Sequence, residues 1–225
     1  MATASAVLDP IEPADLHGPP AGKVDRVVLS LGLRGSVSTF GSRFWKEILA
    51  AAPSLAARIG KGEPIREVVY QDRYVRSPFV ARLVSEILSE VIAMAGGVMS
   101  GTRLRIVTTA PDRPGRSRRW VQDDWASGQE AKKAIERLFS VRSMSVNLTL
   151  RDIKRAPHER ECRIVWESGG IWRCHLDHGL GFLRAGEQVP HPFSASTDRQ
   201  GTALAKSDFD IAVKRPGVVY VFGVE

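Results

Sequence analysis

The chain has few cysteines, no long apolar run and no familiar cofactor signature. Only two of its 225 residues are cysteine, and no Cys/His spacing resembles a zinc site. No apolar run reaches the ~18 residues of a transmembrane helix. A P-loop, a dinucleotide-binding glycine pattern and a serine in a nucleophile elbow are also missing. The sequence therefore predicts no transmembrane helix, no metal site and no cofactor.

The cysteines and the N-terminus both bear on compartment. Cys162 and Cys174 fall on the two arms of one predicted hairpin, so a cross-strand pair is geometrically possible. Two free, buried thiols in a reducing compartment are the preferred interpretation. The N-terminus lacks a basic region followed by an apolar run, so no secretory signal is expected. We therefore expect a cytoplasmic protein.

Charge is the strongest compositional signal. The formal net charge is +7 and the isoelectric point is about 9.8. Such a balance favours polyanionic partners, either nucleic acid or an anionic membrane surface. An arginine-rich proteome would give the same balance with no polyanionic partner at all. The hydrophobic content of 43% is enough for a buried core.

The chain divides into a short arm and one larger unit. Residues 1–22 are rich in Ala, Pro, Asp and Gly without a period, which predicts a flexible N-terminal arm. We expect residues 23–225 to form a single domain, because its length suits one core.

Apolar periodicity predicts an α/β fold. The chain alternates strands and helices up to residue 150, which implies parallel strands joined by crossover helices. Beyond that point it changes to hairpins. Strands are expected at 24–31, 67–70, 104–108 and 143–150, helices at 38–52, 77–95 and about 125–139, and hairpins pairing 160–167 with 170–176 and 208–214 with 218–223.

Two basic runs follow two of the predicted strands. In an open sheet, ligands gather at the carboxyl ends of parallel strands, so the runs are expected to share one edge as a phosphate-binding surface. Solvated charged loops are the alternative interpretation. The first run contains Arg113, Arg116, Arg118 and Arg119, and the second contains Arg151, Lys154, Arg155, His158 and Arg160.

The start of the first hairpin suggests one anion site. His158 and Arg160 are two residues apart, so on a strand they would point to the same side. A guanidinium offers a planar fork of donors for phosphate oxygens, and an imidazole can donate or shuttle a proton. We expect both to converge with Arg184, while Asp177 holds an arginine or His178 in place.

Several short motifs resemble one known family. They are the segment from Tyr70 to Phe79 (YQDRYVRSPF), His158-Glu159-Arg160, Gly169-Gly170-Ile171-Trp172 and the segment from Leu176 to Phe182 (LDHGLGF). In this order they resemble the phospholipase-D-like domain at the C-terminus of MIT-domain proteins and its bacterial relatives. The resemblance spans about residues 66–184. It implies a phospholipase-D-like mixed sheet with helices on both faces, often dimeric.

The same resemblance casts doubt on catalysis. Active phospholipase-D enzymes carry an H-x-K-x4-D motif, and the positions matching its Lys and Asp are here Arg160 and Val165. We therefore expect a non-catalytic, nucleic-acid-binding subunit of a bacterial DNA-processing or phage-defence assembly, with other protein subunits as partners. One alternative is a metal-independent phosphodiesterase or nuclease that uses His158 as nucleophile in a homodimer. Another is an adaptor for anionic membranes.

Overall fold

The computed structural model describes residues 24–96, 102–110, 125, 127–154, 156, 158–185 and 205–224. The helices in this part of the chain are α1 (Phe40–Ala51), α2 (Pro53–Ile59), α3 (Pro78–Met94) and α4 (Gly128–Ser140). The strands are β1 (Asp25–Leu29), β2 (Gly35–Ser36), β3 (Ile65–Gln71), β4 (Arg103–Thr109), β5 (Val146–Arg151), β6 (Glu161–Trp166), β7 (Ile171–Leu176), β8 (Leu183–Ala185), β9 (Asp210–Val213) and β10 (Gly217–Val224).

The larger sheet has seven strands in the order β1-β10-β7-β6-β3-β4-β5. Strands β3, β4 and β5 run parallel, with α3 and α4 as their crossovers, and the other neighbours are antiparallel. The predicted α/β class and mixed sheet are confirmed. The hairpin of β6 and β7 is also confirmed, with its turn at Gly169-Gly170.

The second predicted hairpin does not form as a pair. Strands β9 and β10 exist close to their predicted positions, but β9 joins β2 and β8 in a separate three-stranded sheet. Strand β10 instead lies between β1 and β7. The Pro216-Gly217 signal marks where the chain reverses direction, and it carries no information about which strand edge is free to pair.

Helix α3 is the central helix of the core. Its start agrees with the sequence: Ser77 accepts a hydrogen bond from the Val80 amide, and Pro78 occupies the first turn. Ala81 to Leu88 are all buried, so the helix is enclosed on every side rather than along one stripe. The prediction that Leu83, Val84, Ile87 and Val91 are buried is confirmed.

The core lies against one face of the seven-stranded sheet. Alternate residues along each strand, such as Val68, Ile106 and Ile164, join one hydrophobic cluster with α1, α3 and α4. Both α3 and α4 pack into this cluster, as expected for two successive crossovers of the usual right hand that advance in the same direction along the sheet. In the described part of the chain the helices therefore share one face, rather than both faces as the family resemblance implied.

The two cysteines lie on this core face. Cys162 and Cys174 stand directly opposite each other on β6 and β7, and both are free and buried. Burial raises the pKa of the Cys174 thiol to about 12 and that of Cys162 well above its ordinary value. The expectation of two free thiols is confirmed.

Candidate nucleic-acid interface

The carboxyl ends of β3, β4 and β5 form one edge of the large sheet. From β5 the chain returns along this edge to the start of β6 at Glu161. We call residues 72–77, 108–110, 151–154, 156, 158–160 and 177–179 the carboxyl-end edge. The turn after β7 joins it, because the Leu176 amide donates to the Arg160 carbonyl over 2.7 Å.

A buried carboxylate lies at the centre of this edge. Asp72 is 2% exposed and accepts a 2.9 Å hydrogen bond from the Tyr74 amide. The Tyr70 hydroxyl lies close by without the geometry of a hydrogen bond. Burial raises the pKa of Asp72 to about 6, although the Tyr74 amide and the Arg160 charge oppose the rise.

Arg160 is held by the protein on three sides. Its Nη1 donates to the Asp177 carbonyl over 2.9 Å, and its Nε lies 3.8 Å from Asp72 Oδ1. The guanidinium also lies 5.2 Å from the centre of the Tyr74 ring, within the range of a cation–π contact. Arg160 therefore fixes the turn after β7 to the end of β3, which limits how far its donors can serve a ligand.

Gly179 makes this contact possible. Its φ is +55°, a conformation that glycine adopts without strain. A Cβ at this position would lie 2.5 Å from Asp72 Oδ2 and 2.7 Å from Arg160 Cδ. The turn can thus lie against the ion pair only because the residue has no side chain.

Two other arginines tie the segment after β3 to its neighbours, Arg73 to the returning segment and Arg76 to β4. Arg73 donates through Nε and Nη2 to the Ala156 carbonyl. Arg76, which is 3% exposed, donates through Nε to Thr109 Oγ1 over 2.7 Å and to the Arg73 carbonyl over 3.2 Å. These contacts fix the backbone that carries the exposed residues of the edge.

The structure arranges His158, Arg160 and Arg184 differently from the predicted anion site. Strand β6 begins at Glu161, so His158 and Arg160 precede it and do not share a strand face. Arg184 lies on β8 of the small sheet and donates to the carbonyls of Gly181 and Leu183 over 3.0 and 2.7 Å. Within the described residues, no hydrogen bond or ion pair joins Arg184 to the other two side chains.

Asp177 and His178 form a local pair on the turn after β7. His178 Nε2 lies 3.4 Å from Asp177 Oδ2, and both side chains are about half exposed. Asp177 holds Arg160 through its backbone carbonyl rather than through its carboxylate. The turn itself, and not the acidic group, therefore positions the arginine.

The carboxyl-end edge retains three cationic or titratable side chains without partners. Lys154 and His158 are exposed, and Arg151 is half-buried at the end of β5. Among the described residues, none of the three side chains forms an ion pair or hydrogen bond. Arg113, Arg116, Arg118, Arg119 and Arg155, which the sequence analysis also singled out, lie outside the described residues.

The second face of the large sheet is a feature that the sequence analysis missed. We call it the open face, because its side chains do not join the hydrophobic core shared with the helices, although Val69, Val107, Glu161 and Phe222 on it are buried. Strand register aligns one row across it: Asn147, Arg105, Val69, Arg163, Arg173 and Phe222. The adjacent row is Thr149, Val107, Gln71, Glu161, His175, Tyr220 and Arg26.

The arginines of the open face are poorly neutralised. Arg105 and Arg163 form no ion pair or hydrogen bond in the described part of the chain, and the Nε atoms of both are buried. Arg173 Nη1 lies 3.6 Å from Glu161 Oε2. Burial raises the pKa of Glu161, and the charges of Arg173 and Arg163 act in the opposite direction.

Comparison with protein families adds an independent observation. Residues 23–222 match the family described as the C-terminal domain of the DEAD/DEAH box helicase YjiV. The chain belongs to the YjiV C-terminal domain family. The family takes its description from a domain at the C-terminus of a helicase. Neither the curated proteins nor the solved structures gave a significant match.

Membership of the YjiV C-terminal domain family overturns the phospholipase-D-like assignment. The matched region includes all the short motifs on which that assignment rested. Those motifs have a structural explanation here: Arg160 contacts Asp72, and Gly179 allows the contact. The family match gives no support to a phage-defence role.

None of the helices in the described ranges is both long and apolar enough to cross a bilayer. The same ranges contain no cluster of three or more His, Cys, Asp or Glu side chains arranged to hold a metal ion.

Proposed function

We propose that this domain binds the phosphate backbone of nucleic acid at its carboxyl-end edge, as an accessory to a helicase. The observation that carries the proposal is the contrast between tied and unpartnered cations on this edge. Arg73, Arg76 and Arg160 have partners within the protein. Arg151 and Lys154 have none among the described residues, so their charges are available for a ligand.

Phosphate is the ligand that fits these side chains. Arg151 offers a guanidinium fork, and Lys154 is a flexible ammonium two residues into the following turn. The Lys154 backbone is itself fixed, because its amide donates to Asp152 Oδ1 over 2.8 Å. A net charge of +7 adds a long-range attraction for polyanions. Family membership supplies the context in which the polyanion is nucleic acid.

A domain that accompanies a helicase must either be covalently joined to the motor or contact it through a protein surface. We propose that a helicase subunit is its protein partner. The test is co-purification of this domain with a DEAD/DEAH box helicase, with and without nuclease treatment. A complex that survives nuclease supports a direct protein contact. A complex that is lost when the nucleic acid is digested contradicts it.

Salt dependence of binding tests the phosphate contacts. We would measure fluorescence anisotropy of a labelled DNA duplex over a salt series, for the wild type and for Arg151→Ala/Lys154→Ala. Each phosphate contact contributes a slope of about 0.9 on duplex DNA. The double variant is therefore expected to bind more weakly, with a slope smaller by about 1.8.

The matched control removes the same charge elsewhere. Lys132 and Lys133 are exposed on α4, on the helical side of the sheet. Lys132→Ala/Lys133→Ala should leave the slope within error of the wild type. Equal losses in both double variants would mean that only overall charge matters, and an unchanged edge variant would remove this edge from the interface. Arg116, Arg118 and Arg119, which lie outside the described residues, carry a separate prediction: their joint replacement by Ala should also flatten the slope.

A further inference from the structure

We propose that the open face of the large sheet binds single-stranded nucleic acid, with its arginine row on phosphates and Tyr220 stacked on a base. This inference rests on the proposed function and specifies the strand state and a second surface. The surface is distinct from the carboxyl-end edge, although Arg151 lies at the corner where the two meet, because strand register places it on the open face beside Thr109.

The first step of the argument is the alignment of positive charge. Arg163 and Arg173 stand directly opposite each other on β6 and β7. Arg105 lies in the same row two strands away, across Val69. Neighbouring strands are about 4.8 Å apart, so the three residues span roughly 15 Å of the sheet. A polyanion crossing the strands would meet them in succession.

The second step is that the arginines of this row repel one another when no ligand is bound. Like charges directly opposite on adjacent strands destabilise a sheet. In the described ranges one ion pair offsets these charges, with Glu161 at 3.6 Å from Arg173, and the burial of Glu161 works against its ionisation. Arg163 and Arg105 are without a partner among the described residues. An anion bound between the guanidinium groups would relieve the repulsion.

The third step is the aromatic side chains interleaved with the charges. Tyr220 is half-buried on β10, with His175 and Arg26 as its direct neighbours in the row. Phe222 stands beside Arg173 but is only 8% exposed, so Tyr220 is the ring that a base could reach. Aromatic rings among basic residues form the stacking platforms that hold unpaired bases. Stacking requires a free base face, which a duplex keeps inside its helix, so the surface is suited to a single strand.

Acidic protein segments and anionic lipid are the other possible occupants. An acidic segment would use the arginines, but it gains little from a half-buried ring within a row of polar side chains. A membrane surface favours lysine-rich segments and apolar residues that insert. The combination of guanidinium groups with Tyr220 therefore favours nucleic acid. Polyglutamate and anionic vesicles serve as competitors in the binding experiment.

Two kinds of variant test the surface with a labelled oligothymidylate and a duplex. Arg105→Gln/Arg163→Gln should weaken binding of the single strand and reduce its salt slope by about 1.4, which is two contacts at about 0.7 each. Tyr220→Ala should weaken it roughly five- to one-hundred-fold, the range for loss of one base–aromatic stack. Tyr220→Phe should retain binding, because the ring remains. Lys132→Gln/Lys133→Gln is the charge-matched control.

The outcomes separate this proposal from the proposed function. Loss of single-strand binding in the open-face variants, with duplex binding by Arg151 and Lys154 unchanged, supports it. Equal single-strand affinity in wild type, Tyr220→Ala and Arg105→Gln/Arg163→Gln overturns it, even if the edge variants fail to bind duplex. Displacement by polyglutamate or vesicles, with no dependence on Tyr220, assigns the face to a different occupant. Circular dichroism of each variant checks that a loss does not arise from unfolding.

Discussion

Asp72 is the residue whose ionisation matters most to the fold. Its pKa rises from 3.8 to about 6 because it is buried. Between these values the folded protein binds more protons than the unfolded chain, so this residue makes stability fall as the pH rises from about 4 to 6. Asp72→Asn keeps an acceptor for the Tyr74 amide but cannot ionise. The stability of the variant relative to the wild type should therefore increase over this range, by up to about 3 kcal/mol.

Urea unfolding of both proteins at a series of pH values measures this difference. Other carboxyl groups titrate in the same range, but their contributions are common to both proteins and cancel in the comparison. A relative stability that stays constant from about pH 4 to 7, or falls, would contradict the assignment of a buried, proton-binding carboxyl at Asp72.

Gly179 gives a second prediction at the scale of one residue. Gly179→Ala places a Cβ within 2.7 Å of Arg160 and closer still to Asp72. Gly62→Ala is the matched control, because Gly62 also has a positive φ, of +65°, but has no atom within 4 Å of the added Cβ. Gly62→Ala should cost roughly 1–2 kcal/mol from backbone strain alone, and Gly179→Ala about 1–3 kcal/mol more from crowding. Equal costs in chemical denaturation would mean that the turn moves aside freely.

At the scale of the element, α3 is the helix on which the core depends. Leu83 and Ile87 are fully buried, so Leu83→Ala and Ile87→Ala should each lower the free energy of unfolding by about 2–5 kcal/mol. Lys133→Ala on the exposed side of α4 should change it by no more than about 0.5 kcal/mol. Denaturant titration measures the free energy of unfolding of each variant. No measurable loss at either α3 position would contradict this packing.

The elements that the sequence predicted well are those with a local cause. A short apolar run located β3, alternation of apolar residues located β4, and a serine cap followed by proline located the start of α3. Strand β6 was predicted from residue 160, close to its observed start at Glu161, but the expectation that His158 lies on the strand beside Arg160 was wrong, because the apolar alternation continues only from Cys162. Pairing of β9 with β10 was also wrong, since β10 is occupied on both edges by strands distant in sequence.

The candidate site was predicted only in part for the same reason. The carboxyl-end edge was located from strand order, and Arg151 and Lys154 lie on it. Asp72 was overlooked, although it continues the spacing of the core-facing residues Val68 and Tyr70. Each arginine of the open face reads locally as an ordinary solvent-facing residue of a strand. Only the pairing of strands distant in sequence aligns them.

At the scale of the whole molecule, the charge on the two surfaces links binding to stability. A ligand that binds only the folded state stabilises it, by about 2.7 kcal/mol when its concentration is one hundred times its dissociation constant. Oligothymidylate should therefore raise the melting temperature at low salt. The increase should disappear as salt rises, because the affinity falls steeply with ionic strength. Thermal scans across a salt series measure both effects.

The variants predict how this linkage divides between the surfaces. Arg105→Gln/Arg163→Gln removes charge from the open face. Without ligand, the free energy of unfolding of this variant should be unchanged or higher, because the substitution relieves repulsion between Arg163 and Arg173. The same variant should lose most of the temperature increase produced by oligothymidylate. A variant that is more stable without ligand but is no longer stabilised by ligand would identify the open face as a binding surface. Retention of the full increase in this variant would instead place the single strand on the carboxyl-end edge.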